Sequence, residues 1–212
     1  MMTIANYLLD RSSAVLLLFM AGAALAALIR LSPAKRVCAG LAAIALAAVI
    51  PISTRSGFEW IASAIGRPSV PGLVLLATFA VAAVIGRNLN DNRECRFATA
   101  LLAITGFILY PGATGYLDYD TYALGYSGYV LPAALVAILV HALYRRYFFI
   151  VAALDVAIIA FLLSAGRSNN LWDYVIDPVA WLLGIGTWIF LLLRAVVRRS
   201  KASLSMPAQT SS

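Results

Sequence analysis

Charge is what this sequence has least of. Asp, Glu, Lys and Arg make up 12% of its 212 residues, while 63% are hydrophobic and the mean hydropathy is +0.91. A soluble domain of that length cannot bury so much apolar surface, which excludes the soluble classes. Cysteine is nearly missing too. Cys38 and Cys95 form no CxxC pair and have no histidine nearby, which argues against a redox motif or a zinc site. The single histidine, His141, rules out His-rich metal centres and two-histidine haem ligation within one copy. No Walker loop, HExxH, GxSxG or GxGxxG occurs. The chain is therefore expected to carry no metal, no cofactor and no catalytic residue.

Long apolar runs are what it has instead. They cover 12–31, 37–53, 70–86, 97–111, 129–144, 147–165 and 178–197. A helical span needs roughly 17–25 apolar residues. Lipid forces helices, because backbone groups there must find partners within their own segment. The expected fold is all-α: a polytopic integral membrane bundle of about seven transmembrane helices in one domain over 1–200. Residues 201–212, KASLSMPAQTSS, read as a disordered polar tail in the cytoplasm.

A formal net charge of +7 suggests nucleic acid at first sight, but the basic residues sit in short loops between spans, where they orient the protein. One set of connections holds Arg30, Lys35, Arg36, Arg87, Arg93, Arg96, Arg145 and Arg146, with Arg194, Arg198, Arg199 and Lys201 at the end. The other set holds only Arg11, Arg55, Arg67 and Arg167. The alternation never breaks. It predicts a multi-pass protein of the inner (plasma) membrane, N-terminus outside and C-terminus cytoplasmic, with no nucleic-acid partner. The rival reading is a cleaved signal peptide at the start. Asp10 offsets Arg11 there, and Arg30 closes the first span as a helix anchor does, so the span is expected to stay.

The acids run the opposite way. Asp10, Glu59, Asp118, Asp120, Asp173 and Asp177 fall outside, and only Asp91 and Glu94 inside. Three outer connections carry structure. In the first, Ser56-x-x-Glu59 makes a capping box for a short interfacial helix, with Phe58, Trp60, Ile61 and Ile65 on its apolar face. The second, Tyr110 to Tyr129, holds six of the ten tyrosines. Tyr116, Tyr119, Tyr122, Tyr126 and Tyr129 share one stripe if the segment is helical. Gly115, Gly125 and Gly128 favour a helical turn plus loop. Rings at this depth serve as a headgroup-level belt or as stacking surfaces for a ligand. The third is GRSNNLWDYVIDP, where Ser168 or Asn169 caps a short helix, Trp172 and Tyr174 anchor it, and Asp177-Pro178 opens the last span.

The candidate ligand-binding set is Tyr116, Asp118, Tyr119, Asp120, Tyr122, Asn169, Asn170, Trp172 and Asp173, with Arg167 nearby. Aromatic faces with carboxylates and amides suit polyhydroxylated ligands. The same oxygens suit a hard cation, but no spacing matches a calcium loop. Asp155 is a separate case, an acid in the middle of FFIVAALDVAIIAF. Such acids face the bundle interior and are functional candidates. Thr78, Thr105 and Thr187 lie at matching depth, so a protonated Asp155 bonded to a hydroxyl or carbonyl is expected, as glue or as a proton site. Gly22-x-x-x-Ala26, Ala39-x-x-x-Ala43-x-x-x-Ala47 and Gly184-x-Gly186 permit close helix packing.

Three functions fit. The first is a non-catalytic accessory or binding component of cell-envelope assembly. It takes a lipid-linked or polysaccharide ligand on its outer loops, with membrane lipids and another envelope membrane protein as partners. The second is a small proton-coupled transporter using Asp155, although no internal repeat supports it. The third is an intramembrane enzyme acting on lipid headgroups through Asp118, Asp120 or Asp173.

Overall fold

The computed structural model describes residues 4–87, 92–115, 118–126, 128–165 and 168–204, with side chains over 10–198 of these. Tyr116, Arg167, Asp91 and residues 205–212 lie outside the described residues. Among the described residues the regular structure is helical apart from one two-stranded hairpin. In chain order the helices are α1 (Ile4–Leu28), α2 (Pro33–Val49), α3 (Gly57–Ile65), α4 (Val70–Ile85) and α5 (Arg93–Ala113). There follow α6 (Val130–Arg145), α7 (Phe148–Leu162), α8 (Trp172–Val175) and α9 (Pro178–Leu204). A 3-10 turn, Tyr122–Gly125, sits between α5 and α6.

Each of the seven expected spans coincides with a helix, but their lengths differ. Asp10–Leu28 of α1, all of α5 and Pro178–Arg198 of α9 are long and apolar enough to cross a membrane. The helices α4, α6 and α7 are equally apolar but have 16, 16 and 15 residues. At 1.5 Å per residue that is about 24 Å, short of a hydrocarbon core of about 30 Å. The bundle wears its apolar residues outward. Leu28, Phe148, Phe149, Leu162, Leu163, Leu192 and Leu193 are all exposed. An apolar surface on this scale is what a membrane covers.

Inside, α1 packs on α2 and α4, and α5 packs on α9. The small residues seen in sequence set two of these contacts. A methyl group on Gly22 would strike the carbonyl oxygen of Ala39 and crowd Ala43 at 2.9 Å. One on Gly184 would meet the Thr99 carbonyl at 2.7 Å. Gly186, by contrast, faces open space and packs nothing. The central core joins Leu75, Leu102, Leu109, Leu135, Leu154 and Ile176 from α4 to α7 and the approach to α9.

Polar side chains tie the helix ends rather than their middles. At the basic end, Arg36 donates to the carbonyls of Ala83 (3.4 Å) and Val84 (3.2 Å), where the C-terminus of α4 leaves acceptors unfilled. There too, Glu94 accepts from the N–H groups of Phe149 (2.7 Å) and Ile150 (3.1 Å), capping α7 from the first turn of α5. At the opposite end Asp177 is buried and serves two helices. Its Oδ1 accepts from Ala180 N–H at 2.9 Å, the N-cap role read in sequence, while Pro178 opens α9. Its Oδ2 accepts from the Ser69 amide (2.9 Å) and hydroxyl (2.7 Å). Ser69 in turn caps α4 by accepting from Gly72 N–H at 3.1 Å. Gly72 has to be glycine, because a Cβ there would overlap the Asp177 carboxylate.

Asp155 departs from its expected place. It lies on the exposed side of α7, opposite the buried Ile150, Ala153, Leu154 and Ala157. Among the described residues its carboxylate meets no hydrogen-bond partner, and the Thr78 hydroxyl donates instead to Val74 of its own helix at 2.6 Å. Packing explains the difference. Its inward stripe is already filled with aliphatic side chains packed on α4 and α6.

Candidate functional site

The end of the bundle with the long connections is where the site forms. Two of those connections interlock. Asn170 is fully buried, accepts from Trp172 N–H at 2.9 Å and donates to the Tyr122 carbonyl at 3.0 Å. The Trp172 indole donates to the Thr121 carbonyl at 3.0 Å, and Leu171 N–H to the Gly125 carbonyl at 2.9 Å. The Thr121 hydroxyl then reaches the Leu109 carbonyl on α5 at 2.9 Å. Gly125 leaves room for this seam, since a side chain there would overlap Asn170. The tyrosine loop and the α8 segment thus form one cap on the helix ends. Neither Ser168 nor Asn169 caps α8 as expected, since its N-cap is Leu171 with no side-chain cap bond; Ser168 instead accepts from Asn170 N–H at 3.0 Å.

The first connection is built differently. After α2 the chain turns at Ser53, whose φ is +59°, and pairs Pro51–Ile52 with Arg55–Ser56 antiparallel. Ser56 then accepts from Glu59 N–H at 3.2 Å, half of the expected capping box. The Trp60 indole donates back to the Ile52 carbonyl at 2.9 Å, which fixes α3 on its hairpin. The hairpin was not legible from the sequence, because two residues per strand carry no alternation to detect.

Between this hairpin and the cap lies an open cleft of about 1150 Å³. One wall comes from α1, the hairpin, α3 and the segment before α4, and presents Asp10, Arg11, Arg55, Glu59 and Arg67. Arg67 and Asp10 stand 3.8 Å apart. The facing wall presents Tyr110, Tyr122, Ser168, Asp173 and Tyr174. The floor is apolar, with Val70, Leu73, Leu109 and Ala160 from the spans and Ile176 from the segment before α9. Wall, facing wall and floor together line the cleft with both polar and apolar groups.

The Tyr122 hydroxyl donates to the Asp173 carboxylate at 2.9 Å to each oxygen, and its ring meets Tyr126 edge-on at 5.6 Å. Burial, and after it the bond to Asp173, pushes the Tyr122 phenol above its ordinary value. The phenol therefore remains a donor at neutral pH, with the Asp173 side chain as its acceptor. Asp173 is exposed and so within reach of a ligand.

Of the residues singled out in sequence, Tyr122 and Asp173 meet in the cleft. Asn170 and Trp172 spend their polar groups on the seam between loops. Asp120 accepts from Tyr122 and Ala123 N–H groups (2.9 and 3.2 Å), which starts the 3-10 turn. Asp118, Tyr119 and Asn169 are exposed outside the cleft lining. The residues that sequence reasoning missed are the charged ones opposite, Asp10, Arg11, Arg55, Glu59 and Arg67. Their signal was present, because Arg11, Arg55 and Arg67 are three of the four basic residues that break the one-sided charge pattern. Among known proteins no family model matches this chain, and no curated protein or solved structure matches it either.

Proposed function

We propose that the chain crosses the inner membrane seven times, with its N-terminus outside and C-terminus in the cytoplasm. It serves cell-envelope assembly as a non-catalytic binding component, holding a lipid-linked or polysaccharide ligand in the outer cleft. The observation that carries this reading is the cleft itself: all three long connections converge on one large pocket that also reaches down between the spans. Tyrosine rings, the Tyr122–Asp173 pair and an apolar floor suit a molecule with hydroxyl groups at one end and hydrocarbon at the other. Membrane lipids and a second membrane protein of envelope assembly are its partners.

Geometry lends less to the two alternatives. A paired-carboxylate mechanism needs two acids facing one bond. Of Asp118, Asp120 and Asp173, only Asp173 lines the cleft. A proton route through Asp155 lacks a path, because that residue lies on the outer side of α7 and outside the cleft lining.

The test is binding of a lipid-linked oligosaccharide to the chain in nanodiscs, for the wild type, Asp173→Asn and Ala62→Trp. Saturable binding is expected. It should weaken about fivefold in Asp173→Asn through the loss of roughly 1 kcal/mol, and weaken further in Ala62→Trp, which places a large ring in the cleft. Binding that ignores both substitutions would place the ligand elsewhere and sink the proposal.

A further inference from the structure

The outer connections contain few basic residues, and every described one of them, Arg11, Arg55 and Arg67, lines the same cleft. This is unexpected on orientation grounds, since each arginine on that side works against the charge asymmetry that sets topology. They also arrive from three separate pieces of chain: α1, the Arg55–Ser56 strand of the hairpin and the segment before α4. Sequence neighbours do not explain the convergence. Guanidinium groups grip phosphate oxygens with paired hydrogen bonds, which a lysine cannot match.

From this we infer that the cleft is a binding site for a phosphate-bearing lipid, its phosphate on the arginine wall and the start of its hydrocarbon chain on the apolar floor. Asp10 beside Arg67 and Glu59 on α3 temper the wall, and Asp173 and Asp177 add negative charge to the lining, so the cleft suits a single phosphate better than a diphosphate or a polyanion. The facing Tyr122–Asp173 pair stays available for hydroxyl groups attached beyond the phosphate. The inference rests on the proposed outer binding site and names the group that anchors its ligand.

The decisive experiment compares matched probes on the chain in nanodiscs of neutral lipid. A polyprenyl phosphate is set against the polyprenol with the same tail. Phosphatidic acid is set against the corresponding diacylglycerol, and inorganic phosphate and a phosphate-free glycolipid are measured separately. The phosphate lipids are expected to bind at least tenfold more tightly than their alcohols, and more weakly as salt rises. Arg55→Gln, on the exposed hairpin, should lose about tenfold toward them, and Arg11→Lys should lose part of that. Because the phosphate–alcohol ratio is measured on the wild type, a variant that fails to fold does not affect it. Equal binding of phosphate and alcohol overturns the inference, and if the glycolipid still binds, the cleft as a saccharide site stands. Inorganic phosphate binding as tightly as the lipids also overturns it, because the floor would then play no part. Failure of all probes, glycolipid included, overturns both the inference and the binding reading beneath it.

Discussion

Single residues at this end of the molecule fall into two kinds that the sequence separates only in part. Asp173 and Asp177 lie four apart among the same acids, and the Pro178 that follows marks Asp177 alone as a helix cap. Asp173 is exposed and faces the cleft, whereas Asp177 is buried and takes three donors from two helices. Removing a buried acceptor leaves its donors without partners, at about 1–3 kcal/mol for each. Asp177→Ala is therefore expected to cost roughly 3 kcal/mol or more, lowering the melting temperature in detergent by about 6–12 °C. Asp173→Ala, at an exposed site, should shift it by only a degree or two while still impairing ligand binding. Similar melting temperatures for the two variants would contradict this division. Asn170 shows why such roles escape sequence reading. An amide beside a tryptophan in a polar loop resembles a ligand site, and only the tertiary structure reveals both groups bonded across to the tyrosine loop.

At the scale of elements, the helices were legible because each is an uninterrupted apolar run, and their ends were legible where a cap is written in the chain. Ser56, Asp177 and Pro178 are of that kind. The caps that come from elsewhere were not, among them Glu94 on α7 and Arg36 on α4. The facing of α7 was misjudged for a related reason. Its composition is apolar all round, so nothing in the periodicity distinguishes the side that holds Asp155. A carboxyl group on the outer side of an apolar helix costs insertion free energy, about 2.5–3.5 kcal/mol at the centre of a span. Asp155→Leu should therefore leave binding in the cleft unchanged and hold or raise thermal stability in detergent, followed by tryptophan fluorescence. Loss of ligand binding or of cellular function in Asp155→Leu would return the proton-coupled reading to the front.

For the molecule as a whole, charge divides the two ends. One end gathers short basic loops in which Arg36 and Glu94 finish helices; the other gathers the hairpin, the tyrosine loop and α8 around a cleft. Everything proposed about ligands depends on which end faces out of the cell. The direct measurement is cysteine labelling in a Cys38→Ser, Cys95→Ser background. Asp118→Cys would report the cleft end and Lys35→Cys the basic end, both exposed positions. A membrane-impermeant maleimide applied to intact cells is expected to label Asp118→Cys, and Lys35→Cys only after lysis. The reverse pattern would turn the cleft toward the cytoplasm and contradict a role in binding envelope ligands.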